Sequence, residues 1–164
     1  MPYRFFSEKT LEFVIPGRPL QQGAPRNRVE LQKEGLHDTM GEGGYINLIR
    51  MVAKAAVVAQ KWEIGANEPV YVVVTIYLDR HNTTFIKPEI RKMIKRGTLL
   101  PIQRPDVNRI SELVIKALKG IVWANNKQLV GLLVTKKYNQ EEGVEVLVGN
   151  PKTWRELNHD LRNS

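Results

Sequence analysis

Two short runs hold the residues with the most chemical potential: Arg104-Pro105-Asp106-Val107-Asn108-Arg109, then Trp123-Ala124-Asn125-Asn126-Lys127-Gln128. One carboxylate and three amides among Arg and Lys side chains suit contacts to phosphate oxygens and to backbone groups. On residue type alone, Asp106 or Asn108 caps a helix and Asn125-Asn126 forms a turn. The strongest electrostatic signal lies just upstream. From Arg80 to Arg104, seven basic residues, among them Arg91, Lys92, Lys95, Arg96 and Arg104, stand against Glu89 alone. That stretch carries a net +6 in a chain whose net charge is +8. A surplus of this size concerns partners and solubility, and nucleic acid is the first anionic partner to consider. Arg18, Arg26 and Arg28 add a second basic segment, in a loop with Pro19, Gly23 and Pro25 that is suited to tracking phosphates.

Other chemistries are excluded by what is missing. The 164 residues include no Cys, so there is no disulfide framework, no thiol nucleophile and no zinc ribbon. His37, His81 and His159 lack metal-ligand spacing, and no Ser has a supporting His and acid. Gly41-Glu42-Gly43-Gly44 lacks the Lys-Ser/Thr of a phosphate-binding loop, and Glu42 would repel a phosphate. A flexible connection is expected there. The N-terminus has no apolar region of signal-peptide type, and Val70–Leu78 is too short to span a bilayer. A cytoplasmic protein without membrane contact is the expectation.

The elements that must position these residues follow from hydrophobic period. Leu11–Ile15 alternates and ends at Pro16-Gly17, which predicts a first strand. From Tyr45 to Trp62, apolar residues recur at three and four, predicting an amphipathic helix with Arg50, Lys54 and Lys61 outward and Trp62 as a packing anchor. Val70–Leu78 is β-branched and aromatic, the signature of a central strand. Val107, Ile110, Val114, Ile115, Leu118 and Ile121 share one helical face, so a helix starts at Asp106 to Asn108 and runs to Lys119 before Gly120. Leu129–Tyr138 and Val144–Val148 are two further strands, read as a hairpin, and Thr153-Trp154-Arg155-Glu156 is a capping box opening a last helix. The sum is one α+β domain over residues 1–164, with a mixed sheet packed against helices.

The two runs, with Ala117-Leu118-Lys119-Gly120 between them and Phe13-Val14-Ile15-Pro16-Gly17-Arg18-Pro19 ahead, resemble the RusA family of Holliday junction resolvases. That family's pattern is roughly Lys/Arg-Pro-Asp-x-Asp-Asn-Leu-x-Lys, then Asp-Ala-Leu-Asn-Gly, an aromatic, and Asp-Asp-x-Gln-Val. The order of elements agrees over about residues 11 to 138. The resemblance implies a RusA-like fold and a homodimer that cuts four-way or otherwise branched DNA with Mg²⁺ or Mn²⁺ held by Asp carboxylates. It also implies site positions at Asp106, Asn108, Asn125 and Asn126, with phosphate contacts from Arg18, Arg26, Arg28, Arg91, Lys92, Lys95, Arg96, Arg104 and Lys127.

The departures from the pattern matter more than the match. Asn108, Asn125 and Asn126 stand where the family has Asp, Arg109 stands for Asn, and Glu112 stands for Lys. Asp106 remains as a metal ligand, and Glu112 could join it. An amide oxygen is a neutral and weaker ligand for a hard dication, so metal binding and cleavage should both fall. Such exchanges keep a nuclease folded and DNA-bound while removing cleavage, whether by design or in a natural pseudo-resolvase. The alternatives are therefore an impaired junction endonuclease, a non-catalytic junction binder, or a general single-strand or RNA-binding module.

Overall fold

The computed structural model describes residues 6–19, 41–79 and 87–151. In chain order these form β1 (Phe6–Pro16), α1 (Glu42–Ala59), β2 (Val70–Asp79), α2 (Pro88–Lys95), α3 (Val107–Leu118), a 3₁₀ turn (Asn126–Gln128), β3 (Leu129–Asn139) and β4 (Gly143–Pro151). The strands make one mixed sheet in the order β1-β4-β2-β3. β4 runs antiparallel to both β1 and β2, whereas β2 and β3 are parallel. The α+β class expected from the hydrophobic pattern is the class observed.

Alternation sorts the strands' residues between two faces. Leu11, Phe13 and Ile15 of β1, Val72, Val74, Ile76 and Leu78 of β2, and Val144, Val146 and Val148 of β4 share a core with Ile49 and Ala53 of α1 and Ile110, Val114 and Leu118 of α3. Burying each of these larger aliphatic side chains is worth about 1.5–3 kcal/mol, and that gain holds α1 and α3 on the sheet. The opposite face is thin, built from Phe6, Val73 and Leu147 with Tyr71 beside them. Here two glycines are required. Gly149, Tyr71 and Gly131 lie in one row across β4, β2 and β3. A Cβ on Gly131 would meet the Tyr71 ring at 2.1 Å, and one on Gly149 would meet Phe6 at the same distance. The two rings cover the glycine backbones and meet edge to face, with centroids 5.9 Å apart.

Three expectations are corrected. β3 and β4 form no hairpin: residues 140–142 carry the chain over the end of β2, so that β4 sits between β1 and β2. β4 is apolar on both faces, with Val144, Val146, Leu147 and Val148 all buried, and so demands neighbours on both sides. The Gly41–Gly44 segment is no flexible connection, because Glu42, Gly43 and Gly44 are the first turn of α1, which ends at Ala59 and not at Trp62. The basic stretch after β2 is partly ordered as α2, which starts on Pro88 and is anchored by buried Ile94. α3 follows the sequence reading closely, and Gly120 after it has a φ of +82°. The remainder of the Arg18–Arg28 loop beyond Pro19, and the helix expected from Thr153, lie outside the described residues.

The two sheet edges differ. Gln60, just past α1, seals β1: its Oε1 accepts from the Glu12 backbone N–H at 3.0 Å and its Nε2 donates to the Glu12 carbonyl at 2.6 Å. β3 is the outer strand on the other side among the described residues, and it leaves Val130, Leu132 and Leu133 exposed.

Candidate functional site

Asp106 is the N-cap of α3. Its Oδ1 accepts from the Asn108 backbone N–H at 2.7 Å, satisfying one of the first-turn donors that a helix leaves unpaired. The loop leading into this cap is held from the sheet. Lys136 of β3 donates from Nζ to the carbonyls of Gln103 at 2.8 Å and Pro105 at 3.3 Å, so a strand lysine fixes the backbone on which Arg104 and Asp106 sit. Asn108 is exposed on the first turn of α3. Arg109, next to it, pairs with Glu42 at the start of α1 and with Glu112 one turn on, at 3.1 Å for Nη1 to Oε2. Arg109 thus ties α3 to α1, and Glu112 is engaged as its acceptor.

Asn125 and Asn126 are also engaged. Asn125 Oδ1 accepts from the Lys127 backbone N–H at 3.0 Å and caps the 3₁₀ turn, while Asn126 Oδ1 accepts from Trp123 Nε1 at 3.0 Å. The residue that fastens this turn is Gln128, buried at 6% exposure. Its Oε1 accepts from the backbone N–H groups of Ala124 at 3.0 Å and Asn125 at 2.9 Å. Its Nε2 donates to the carbonyls of Gly65 at 2.8 Å and Glu68 at 3.0 Å. Trp62, buried as expected, adds a bond from Nε1 to the Val122 carbonyl at 2.9 Å. Replacing Gln128 with Leu is expected to lower stability by about 1–3 kcal/mol, because four part-buried hydrogen bonds to the backbone are lost. Urea unfolding should show this as a lower midpoint at unchanged slope. A loss below about 1 kcal/mol would mean that water replaces the side chain.

Within one chain the two runs lie far apart. α3 has 12 residues, so Asp106 and the turn beyond its C-terminus are separated by about 18 Å along the helix. β3 agrees, since Leu129 adjoins the turn and Lys136 holds the Asp106 loop, seven residues and about 23 Å along the strand. Among the described residues, no three His, Cys, Asp or Glu side chains gather where they could hold a metal ion. The donor set of one chain, with the capping Asp106, the Asn108 amide and the Arg109-paired Glu112 at one end and two hydrogen-bonded amides at the other, does not fit a tightly held hard dication.

The basic residues lie on α2, in the loop before Asp106, in the turn and after β1. Arg91, Lys92 and Lys95 are exposed on α2, Arg96 directly follows it, and Arg104 is exposed two residues before Asp106. Lys127 is exposed within the 3₁₀ turn, and Arg18 is exposed after β1. Arg26 and Arg28 lie outside the described residues. A cavity of about 630 Å³ flanks the turn, lined by Lys9, Trp62, Glu63, Glu68 and Ile121 among others. Its two carboxylates make it a poor place for phosphate.

The family model for endodeoxyribonuclease RusA matches residues 16–149 and so spans both runs and the helix between them. The chain belongs to that family. The RusA family comprises divalent-metal-dependent nucleases of the Holliday junction resolvase type that act on branched DNA. The chain is also similar to "Uncharacterized protein YqaN" of Bacillus subtilis (strain 168), at 25% identity over 138 residues, covering 84% of this chain and 94% of that protein. Among the described residues, no helix of this RusA-family chain is long and apolar enough to cross a membrane.

Sequence reasoning missed Gln128, Lys136, Glu42 and Trp123 as positioning residues. Gln128 stands in the quoted pattern, but its partners Gly65 and Glu68 are 63 and 60 residues away.

Proposed function

We propose that this RusA-family chain binds four-way or otherwise branched DNA as a homodimer, with phosphodiester hydrolysis strongly reduced by the amides at positions 108, 125 and 126. The observation that carries this reading is the family match over both runs. The reduced hydrolysis rests on the sequence, where the motif resemblance sets amides at positions 108, 125 and 126 and leaves the carboxylate of Asp106. Arg91, Lys92, Lys95, Arg96, Arg104 and Lys127 supply the phosphate contacts, with Arg18, Arg26 and Arg28 extending them. Mg²⁺ or Mn²⁺ is the cation such a site would use, bound weakly here. The chain acts as one RusA-like domain over residues 1–164, and in the cytoplasm it meets its DNA directly.

The separation of Asp106 from the Asn125-Asn126 turn supports a dimer, since one chain cannot bring them together. β3 is the edge suited to it. Its outer backbone faces no strand among the described residues, and Val130, at 62% exposure, and Leu133 stand in water. Two β3 strands paired antiparallel about Leu133 would set the Asn126–Gln128 turn of one copy at the same end as the partner subunit's Asp106.

A second reading, a junction binder with no hydrolytic step at all, is favoured by the Oδ1 atoms of Asn125 and Asn126, both already spent on hydrogen bonds within the turn. Competition binding tests the reading common to both. Labelled four-way DNA should resist displacement by linear duplex of equal length at about tenfold or greater excess. Equal displacement would leave only a general nucleic-acid binder.

A further inference from the structure

The loop between α2 and α3 is pinned along its length, yet it presents apolar side chains to water. The Thr98 N–H and Oγ1 both donate to the Met93 carbonyl at 3.0 Å, Pro101 and Pro105 are buried, and Lys136 holds the carbonyls on either side of Arg104. Between these anchors Ile102 is 99% exposed and Leu100 is 61% exposed. A single exposed aliphatic residue on a protein surface needs no explanation. Two of them within three residues, on a pinned loop four residues from Asp106 and flanked by exposed Arg96 and Arg104, do.

The charge around the tip selects its partner. A second copy brought against this loop about a two-fold axis would oppose Arg96 and Arg104 to their own counterparts, and like charges in contact are unfavourable. DNA satisfies both features at once, with phosphates for the guanidinium groups and a base step for the aliphatic tip. Proteins that bend DNA insert Ile, Leu, Phe, Met or Pro between bases in this way. Opening a step is least costly where stacking is already interrupted, as it is between the arms at a branch point. Ile suits the task because its branched Cβ leaves few rotamers to lose.

We propose that Ile102, backed by Leu100, is an apolar wedge that enters the base step at the branch point of four-way DNA. This rests on the branched-DNA reading above. The Lys136 clamp gives the wedge its rigidity, holding it at a set offset from Asp106, so that seating the wedge fixes which phosphate lies at the Asp106 cap.

The test uses four-way DNA carrying 2-aminopurine beside the branch point, whose fluorescence rises when the base unstacks. The full chain at saturation should raise the signal about threefold or more, and Ile102→Ser should return it to within about a fifth of free DNA. Ile102→Leu should keep most of the rise, because it restores the apolar volume. Ile102→Ser should also weaken four-way binding about five- to twentyfold, and more than it weakens duplex binding. Ile102 lies wholly in water, so the variants fold. An unchanged fluorescence rise with Ile102→Ser overturns the wedge while leaving junction binding intact. A change in oligomeric state with unaltered DNA opening overturns it in favour of a protein contact. If the unmodified chain shows no preference for four-way DNA over duplex, the branched-DNA reading fails first and takes the wedge with it.

Discussion

A chain carrying Asn108→Asp, Asn125→Asp and Asn126→Asp is expected to cut labelled four-way DNA in Mg²⁺ or Mn²⁺ at least about a hundredfold faster than the unmodified chain. The amides are not there for folding. Asn125 Oδ1 caps the 3₁₀ turn and Asn126 Oδ1 accepts from Trp123, and a carboxylate oxygen does either job while leaving its second oxygen free. Asn108 is on the first turn of α3, where a negative side chain gains about 0.3–1 kcal/mol from the helix dipole. The triple variant should therefore unfold no earlier than its parent. A mixing experiment shows whether the site is shared between copies. One version combines Asp106→Ala and Asn108→Ala with Asp at 125 and 126, and the other has Asp at 106 and 108 with Asn at 125 and 126. Each alone should be inactive, whereas after subunit exchange the mixture should nick one strand. A triple variant that binds the junction but never cuts it would sink the endonuclease reading, and the non-catalytic binder would take its place.

What the sequence made legible, and what it hid, divides along the range of the interactions. β2 and α3 could be read because their patterns are local: a β-branched run for one, and apolar residues at three and four ended by Gly120 for the other. The sheet order could not, because β3 and β4 each read as apolar strands joined by a short polar link, which is also what a hairpin looks like. Only the burial of both faces of β4 assigns it the place between β1 and β2. Glycines hid the start of α1. Gly43 and Gly44 have poor helix propensity, and the Glu42 to Arg109 ion pair that accompanies that turn joins residues far apart in sequence. The site divides in the same way. Asp106 as a helix cap follows from the residue type before an apolar period, but the grip of Lys136 on Gln103 and Pro105 spans more than thirty residues and leaves no periodic trace. Neither could the separation of the two runs be seen. Their match to one family motif suggested a single cluster, whereas a straight helix between them keeps them apart.

Replacing Arg91, Lys92, Lys95 and Arg96 together with Ala is expected to weaken four-way DNA binding about 10²- to 10³-fold at about 0.1 M salt, and to flatten the log-log salt dependence by up to about 3.6. The slope is the more telling number, since each phosphate neutralised contributes about 0.9 to it whatever the DNA sequence. Arg91, Lys92 and Lys95 are exposed on α2 and Ile94 is its buried residue, so the substitutions remove charge without touching the core. Ala is also the better helix former, which keeps α2 intact. Circular dichroism should accordingly show no loss of helix. An unchanged slope would move the electrostatic footprint to Arg104, Lys127 and the Arg18–Arg28 segment. If the slope falls while the preference for four-way DNA over duplex persists, affinity and selectivity reside in different places. α2 then supplies the general hold on phosphates, and the pinned loop from Thr98 to Asp106, with its exposed Ile102, distinguishes a branch point from a continuous helix.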